Sequence, residues 1–145
     1  MSDIIYLRDR EYRTALVRDL ASARIAHLST VRLTRSVEFF FSSWLRNGGQ
    51  LWVVTNALRR WPADLVEVIA AAAELRALGA QLTHYNAPYL LHSKLLTFAP
   101  DIVYLGSHNF TGQSLGKNIE RSIRVQNQQL YDTVVADIRS QGGWF

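Results

Sequence analysis

The passage from Thr34 to Thr55 constrains the fold more than any other. Val37, Phe40, Phe41, Trp44 and Leu45 recur at i, i+3, i+4, i+7 and i+8, the spacing of one buried helix face. Thr34 or Ser36 can cap the start of that helix, and Asn47-Gly48-Gly49 stops it. Leu51-Trp52-Val53-Val54-Thr55 follows at once, an apolar run that suits a strand covered on both faces. A helix burying one face next to a strand burying two commits the chain to a layered sheet with helices packed on it.

The same alternation runs through the rest of the chain. A strand is expected over Asp3 to Leu7, then a helix over Asp9 to Ala23. Tyr12, Leu16 and Leu20 stripe that helix, with Arg10, Arg13, Arg18 and Asp19 off the stripe. Arg24 to Val31 returns to strand. A helix starts near Pro62, where a missing N–H costs little, and ends at Gly79. Further strands are expected over Gln81 to Tyr85, Leu90 to Phe98, Ile102 to Leu105 and Ile119 to Val125. A last helix, Gln128 to Arg139, is striped by Leu130, Val134 and Ile138. This order predicts the α/β class: a mixed, mostly parallel sheet flanked by helices on both faces, as a single domain over residues 1–145.

Composition narrows the chemistry. There is no cysteine, which excludes a disulfide framework and a thiolate metal site. The net charge of +4 leans toward a polyanionic partner. The apolar segment from Leu65 to Ala80 is interrupted by Glu67, Glu74 and Arg76, so it reads as a helix of a folded domain and not as a membrane span. The first residues carry no basic, then apolar, leader pattern, and the expected location is cytoplasmic.

The chemistry concentrates between Leu90 and Glu120. Within a strand, residues i and i+2 share a face, so His92 and Lys94 are expected to project together. A His and a Lys among Leu90, Leu91, Leu95 and Leu96 are costly unless they serve a pocket. Gly106-Ser107-His108-Asn109 ends the paired strand and brings a hydroxyl and an amide to the same end. Asn118 and Glu120 are expected on one face of the next strand. The set reads as an anion site. Lys94 supplies charge, Ser107 and Asn109 donate hydrogen bonds, and His92 acts as nucleophile or proton carrier. Glu120 orients the imidazole. A phosphoryl group, whose charge spreads over three oxygens during transfer, suits such a set. No carboxylate pair or His cluster suggests a metal, so metal-independent chemistry without a cofactor is expected.

His92-Ser93-Lys94, then Gly106-Ser107-His108-Asn109, with Phe110 and Thr111 following and Asn118-Ile119-Glu120 beyond, resembles the signature of the phospholipase D superfamily. Ser107 stands 15 positions after His92 and Glu120 stands 28 after, which fits that signature. The likeness is greatest to the short, single-motif bacterial endonucleases of the superfamily. One departure stands out: the family usually has Asp five positions after the motif Lys, and this chain has Ala99, with Asp101 two residues on.

The resemblance implies catalytic roles for His92, Lys94, Ser107, Asn109 and Glu120, and a phosphohistidine intermediate. It implies two motifs per active site. His27, His84 and His108 are not followed two positions later by Lys, so the chain has one motif and a homodimer with a shared site is expected. The expected substrate is nucleic acid, DNA first. The alternatives are a phospholipase D-type lipid phosphodiesterase or transphosphatidylase, and a nucleic-acid-binding module with impaired catalysis. Asn118, Arg32 and Arg35 are weaker candidates for substrate binding, the two arginines because they follow a strand at a sheet edge. His27 and His84 read as structural. Arg59, Arg60 and Trp61 read as the start of a helix, ahead of a role in gripping a nucleic-acid strand.

Overall fold

The computed structural model describes residues 3–57, 65–86, 91, 93–107 and 120–145. The elements run β1 (Asp3–Arg8), α1 (Asp9–Ser22), β2 (Ile25–Thr30), α2 (Arg35–Arg46), β3 (Gln50–Asn56), α3 (Leu65–Ala77), β4 (Gln81–Tyr85), β5 (Leu95–Phe98), β6 (Ile102–Gly106), β7 (Arg121–Gln126) and α4 (Gln128–Gly142). The strands form one seven-stranded sheet in the order β1-β7-β6-β5-β2-β3-β4.

The sheet is mixed, as expected, but its neighbours are mostly antiparallel. Only β2 with β3 and β3 with β4 pair in parallel among the described residues. The other four pairs, β1/β7, β7/β6, β6/β5 and β5/β2, are antiparallel. Parallel neighbours need a long crossover, and α2 and α3 supply the two that occur. β5 and β6 are joined by only Ala99, Pro100 and Asp101, which forces a reversal. β1 does not neighbour β2 at all; it crosses to the far edge and pairs with β7. By direction, β1, β2, β3, β4 and β6 still run the same way, while β5 and β7 run against them.

Helices cover both faces. On one face α1, α2 and α3 bury Leu16, Phe41 and Leu75 against Leu28, Val53, Leu96 and Phe98. The stripe on α2 behaves as its spacing predicts: Val37, Phe41 and Leu45 are buried, and Phe40 and Trp44 pack partly buried beside them. The Trp44 indole N–H donates to Ala23 O at 2.8 Å, which satisfies its one polar group. Gly49 lies so close under this ring that a Cβ there would sit 2.3 Å from it, so the turn requires glycine. On the opposite face α4 packs Tyr131, Val134 and Ile138 onto Val54, Leu91 and Val103. Trp144 joins this second cluster, and Phe145 is fully exposed.

Two local expectations need correction. Asp19 is not on the solvent side of α1 but buried. It falls three residues after Leu16, on the stripe itself, and is matched by Arg124 of β7. The strand expected from Leu90 begins only at Leu95. Leu91 is buried, but the Asn56 side chain takes its backbone N–H and C=O, so no neighbouring strand does. No helix among the described residues is long and apolar enough to cross a membrane.

Candidate active site

Strand direction decides which residues meet. The C-terminal ends of β1, β2, β3 and β6 and the N-terminal ends of β5 and β7 lie at one end of the sheet. The register makes this explicit: Arg8 pairs with Arg121, Gly106 with Ser122, Leu105 with Leu95, and Leu95 with Ser29. Lys94, Ser107 and Glu120 are each one residue beyond these strand ends. Three of the five expected catalytic residues therefore stand along one end of the sheet, although sequence separates them by up to 26 positions. His92, Asn109 and Asn118 lie outside the described residues, as do Arg59, Arg60 and Trp61.

Lys94 is half-buried and borders a narrow recess beneath α1. Tyr12, Thr30, Leu96, Tyr104 and Ser122 also line it, and its free space is about 10 Å³, the room of one water. Burial raises the Tyr12 and Tyr104 hydroxyls well above the usual phenol range, so both stay neutral hydrogen-bonding groups at any working pH.

Ser107 ties two strands together. Its backbone N–H donates to Arg121 O at 2.9 Å, and its Oγ accepts from Arg121 N–H at 3.0 Å. Its hydroxyl also donates to Arg121 O at 3.2 Å. Gly106 makes this approach possible. Its φ is +151°, and a Cβ there would lie 2.5 Å from Arg121 O. In this conformation the Ser107 hydroxyl holds the start of β7, the residue next to Glu120.

Glu120 sits just before β7, not within it. Its backbone N–H donates to Asp9 Oδ1 at 3.3 Å, and its carbonyl accepts from Arg121 Nη1 at 2.8 Å. Arg121 Nη1 also meets Asp9 Oδ1 at 3.3 Å. Asp9 has a φ of +41°, a conformation that Asp adopts more readily than most residues. Asp9 was not a candidate in the sequence. It lies 111 residues before Glu120, and only the β1/β7 pairing brings the two together.

Arg32 is half-buried just past β2 at this same end, and Thr30 Oγ1 donates to its carbonyl at 3.4 Å. Arg35 opens α2. Its guanidinium is 3.7 Å from Glu38, and its backbone N–H donates to Glu67. The charge of Arg35 thus has a carboxylate neighbour on its own helix.

Ala99 and Asp101 are in the turn between β5 and β6, at the opposite end of the sheet from Lys94. At about 3.3 Å per residue, Ala99 is roughly 16 Å from Lys94 along an extended chain. Asp101 accepts from the Gln126 side-chain amide at 3.3 Å, and its carbonyl accepts from Asn127 N–H at 2.9 Å. The departure at Ala99 thus falls in a structural turn.

His27 sits within the central strand β2, opposite Thr97, and His84 is the next-to-last residue of the edge strand β4. His27 is 3% exposed and stacks on Trp52 at 4.8 Å. Burial first, and the Arg139 charge second, push its pKa down to about 4. His84 Nδ1 lies 3.2 Å from Asn56 O, and burial lowers its pKa as well. Among the described residues, no three His, Asp or Glu side chains converge as a metal set would.

Residues 35–141 match a family described as cardiolipin synthase, PLD-like domain. A search of curated protein sequences returns no match. The fold is similar to the crystal structure of Nuc, a phospholipase D family member from Salmonella typhimurium, with a TM-score of 0.85 at 16% identity. That likeness covers 99% of this chain and 96% of Nuc. NucT from Helicobacter pylori matches with a TM-score of 0.69 at 11% identity, over 97% of this chain and 96% of NucT. Phosphatidylserine synthase from Haemophilus influenzae matches with a TM-score of 0.74 at 9% identity, over 97% of this chain but 38% of that one.

Proposed function

The chain belongs to the phospholipase D-like family, and from that premise we propose that it is a metal-independent phosphodiesterase acting on nucleic acid, DNA first. The observation that carries this reading is the gathering of Lys94, Ser107 and Glu120 at one end of the sheet. Nucleic acid is favoured over lipid by the net charge of +4.

In this reading His92 attacks phosphorus, and the bond from phosphorus to the leaving oxygen breaks. Lys94 and Asn109 stabilise the charge on the remaining phosphoryl oxygens, and Glu120 supports an imidazolium. His92 of the partner subunit gives its proton to the leaving oxygen. The same imidazole then takes a proton from water, whose oxygen attacks phosphorus and breaks the P–N bond. The product phosphate monoester leaves and both imidazoles return to their starting states. The chain carries a single His-x-Lys motif, so two copies build the site, and the working form is a cytoplasmic homodimer. Arg32 and Asn118 contact flanking phosphates.

The lipid reading draws on the family description and on the phosphatidylserine synthase fold. One experiment separates the possibilities. Plasmid DNA, single-stranded DNA, RNA and labelled phospholipid vesicles are each incubated with the protein in chelator, beside His92→Ala. DNA cleavage that disappears in the variant supports the proposal. Turnover of lipid alone supports the lipid reading, and binding without cleavage supports a non-catalytic module. Light scattering that finds an active monomer overturns the shared site.

A further inference from the structure

In the sequence His92 stands between Leu91 and Ser93, and both neighbours are held by side chains from other strands. Asn56, the last residue of β3, is 3% exposed. Its amide nitrogen donates to Leu91 O at 2.7 Å, and its Oδ1 accepts from Leu91 N–H at 2.8 Å. The same nitrogen donates to Val31 O at 2.7 Å. One planar amide thus pairs with Leu91 as a neighbouring strand would, and ties it to the loop that carries Arg32. On the other side, Ser29 of β2 is fully buried, and its hydroxyl donates to Ser93 Oγ at 3.1 Å.

These bonds take the place of a ladder. β5 begins at Leu95, so strand pairing does not fix Leu91, Ser93 or Lys94. Leu91 is 5% exposed, and without Asn56 its backbone groups would be buried without partners. Reaction geometry is unforgiving: a displacement of about 1 Å can cost on the order of a hundredfold in rate.

We infer that Asn56 and Ser29 are positioning residues that hold the segment from Leu91 to Lys94, so that His92 and Lys94 meet the substrate phosphate together. This rests on the roles proposed above for His92 and Lys94. Neither Asn56 nor Ser29 belongs to the His-x-Lys or Gly-Ser-x-Asn motif. Asn56 is suited to its place by chemistry. Aspartate would keep the acceptor for Leu91 N–H but set a carboxylate against two carbonyl oxygens, and alanine would supply neither donor nor acceptor.

The test combines steady-state kinetics on the cleaved nucleic acid with amide hydrogen exchange. Asn56→Ala and Asn56→Asp are expected to lower kcat by about 10- to 100-fold while KM moves by less than about threefold. Ser29→Ala and Ser93→Ala are expected to lower kcat, and the double variant to lose no more than the larger single loss, because they remove one shared bond. Ser29→Thr keeps the hydroxyl and retains kcat. Asn127→Ala, which removes the N-cap of α4 at the far end of the sheet, serves as a destabilised control with unchanged kcat. In Asn56→Ala the Leu91 amide loses protection while the amides of β3 keep theirs. An unchanged kcat in Asn56→Ala, a loss matched by an equally destabilised control, or unchanged Leu91 protection overturns the inference. If the wild-type protein cleaves no phosphodiester, the functional reading falls and the exchange measurement alone decides the clamp.

Discussion

Arg124 grips Asp19 with two parallel bonds beneath α1, Nε to Oδ2 at 2.7 Å and Nη2 to Oδ1 at 3.1 Å. Both side chains are buried, 10% and 7% exposed. The Tyr104 hydroxyl donates to the same carboxylate. The bond to Asp19 holds the Arg124 guanidinium above its usual range, and burial, then Asp19, does the same for the Tyr104 hydroxyl. The three residues come from β7, α1 and β6, so this network fastens the helix to the strands that lead into Ser107 and out of Glu120.

Removing one partner leaves a buried charge unpaired. Asp19→Ala is expected to lower stability by about 3–5 kcal/mol, read from urea unfolding. Tyr104→Phe should cost about 1.5–3 kcal/mol, because it removes a bond to a charged acceptor. Replacing Asp19 by Leu and Arg124 by Met together should cost far less than either single change.

That network also marks the limit of what the sequence discloses. The helix stripes of α2 and α4 and the buried run of β3 are visible locally, because periodicity is a local property. Asp19 sits on the stripe with Tyr12 and Leu16, yet its charge argues for solvent until Arg124, 105 residues away, is placed beside it. Strand direction is equally hidden: nothing within Asp3–Arg8 says that its partner is Arg121–Gln126. The candidate residues Lys94, Ser107 and Glu120 were legible from their types and spacing. Asp9, Asn56 and Ser29 were not, because each acts on a distant segment through one or two hydrogen bonds.

His27 gives a pH dependence of stated sign. Unfolded, its imidazole titrates near 6.5, and in the fold near 4, so the unfolded chain binds more protons between these values. Its contribution to stability is full above about pH 6.5, falls as pH drops toward 4, and is flat below. The span is about 3 kcal/mol. Urea unfolding between these pH values should show stability rising with pH in the wild type and a shallower rise in His27→Gln.

Lys94→Ala should reduce phosphodiester cleavage by about 100-fold or more, the scale of losing one charge that stabilises a transition state. Lys94→Arg should recover little of it, because a planar guanidinium presents its charge in a different geometry from a compact ammonium. Single-turnover rates on a defined oligonucleotide check both.

Arg32→Ala should raise KM for nucleic acid several-fold and flatten its dependence on salt by about one charge. Arg35→Ala should have only a small effect on either quantity, since Glu38 stands 3.7 Å from that guanidinium. Titrations at several salt concentrations distinguish them.

The central claim is that His92 becomes covalently bonded to the substrate phosphorus. The direct measurement is to mix the protein with DNA labelled at its phosphates throughout, so that the fragment retained on the protein always carries label, in chelator, and quench with alkaline denaturant, which spares a P–N bond that acid would cleave. The protein is then examined for attached label. The account predicts label on the wild-type chain, located at His92, stable to base and released by acid, and none on His92→Ala. DNA cleavage with no labelled protein, or label that persists in His92→Ala, would contradict it.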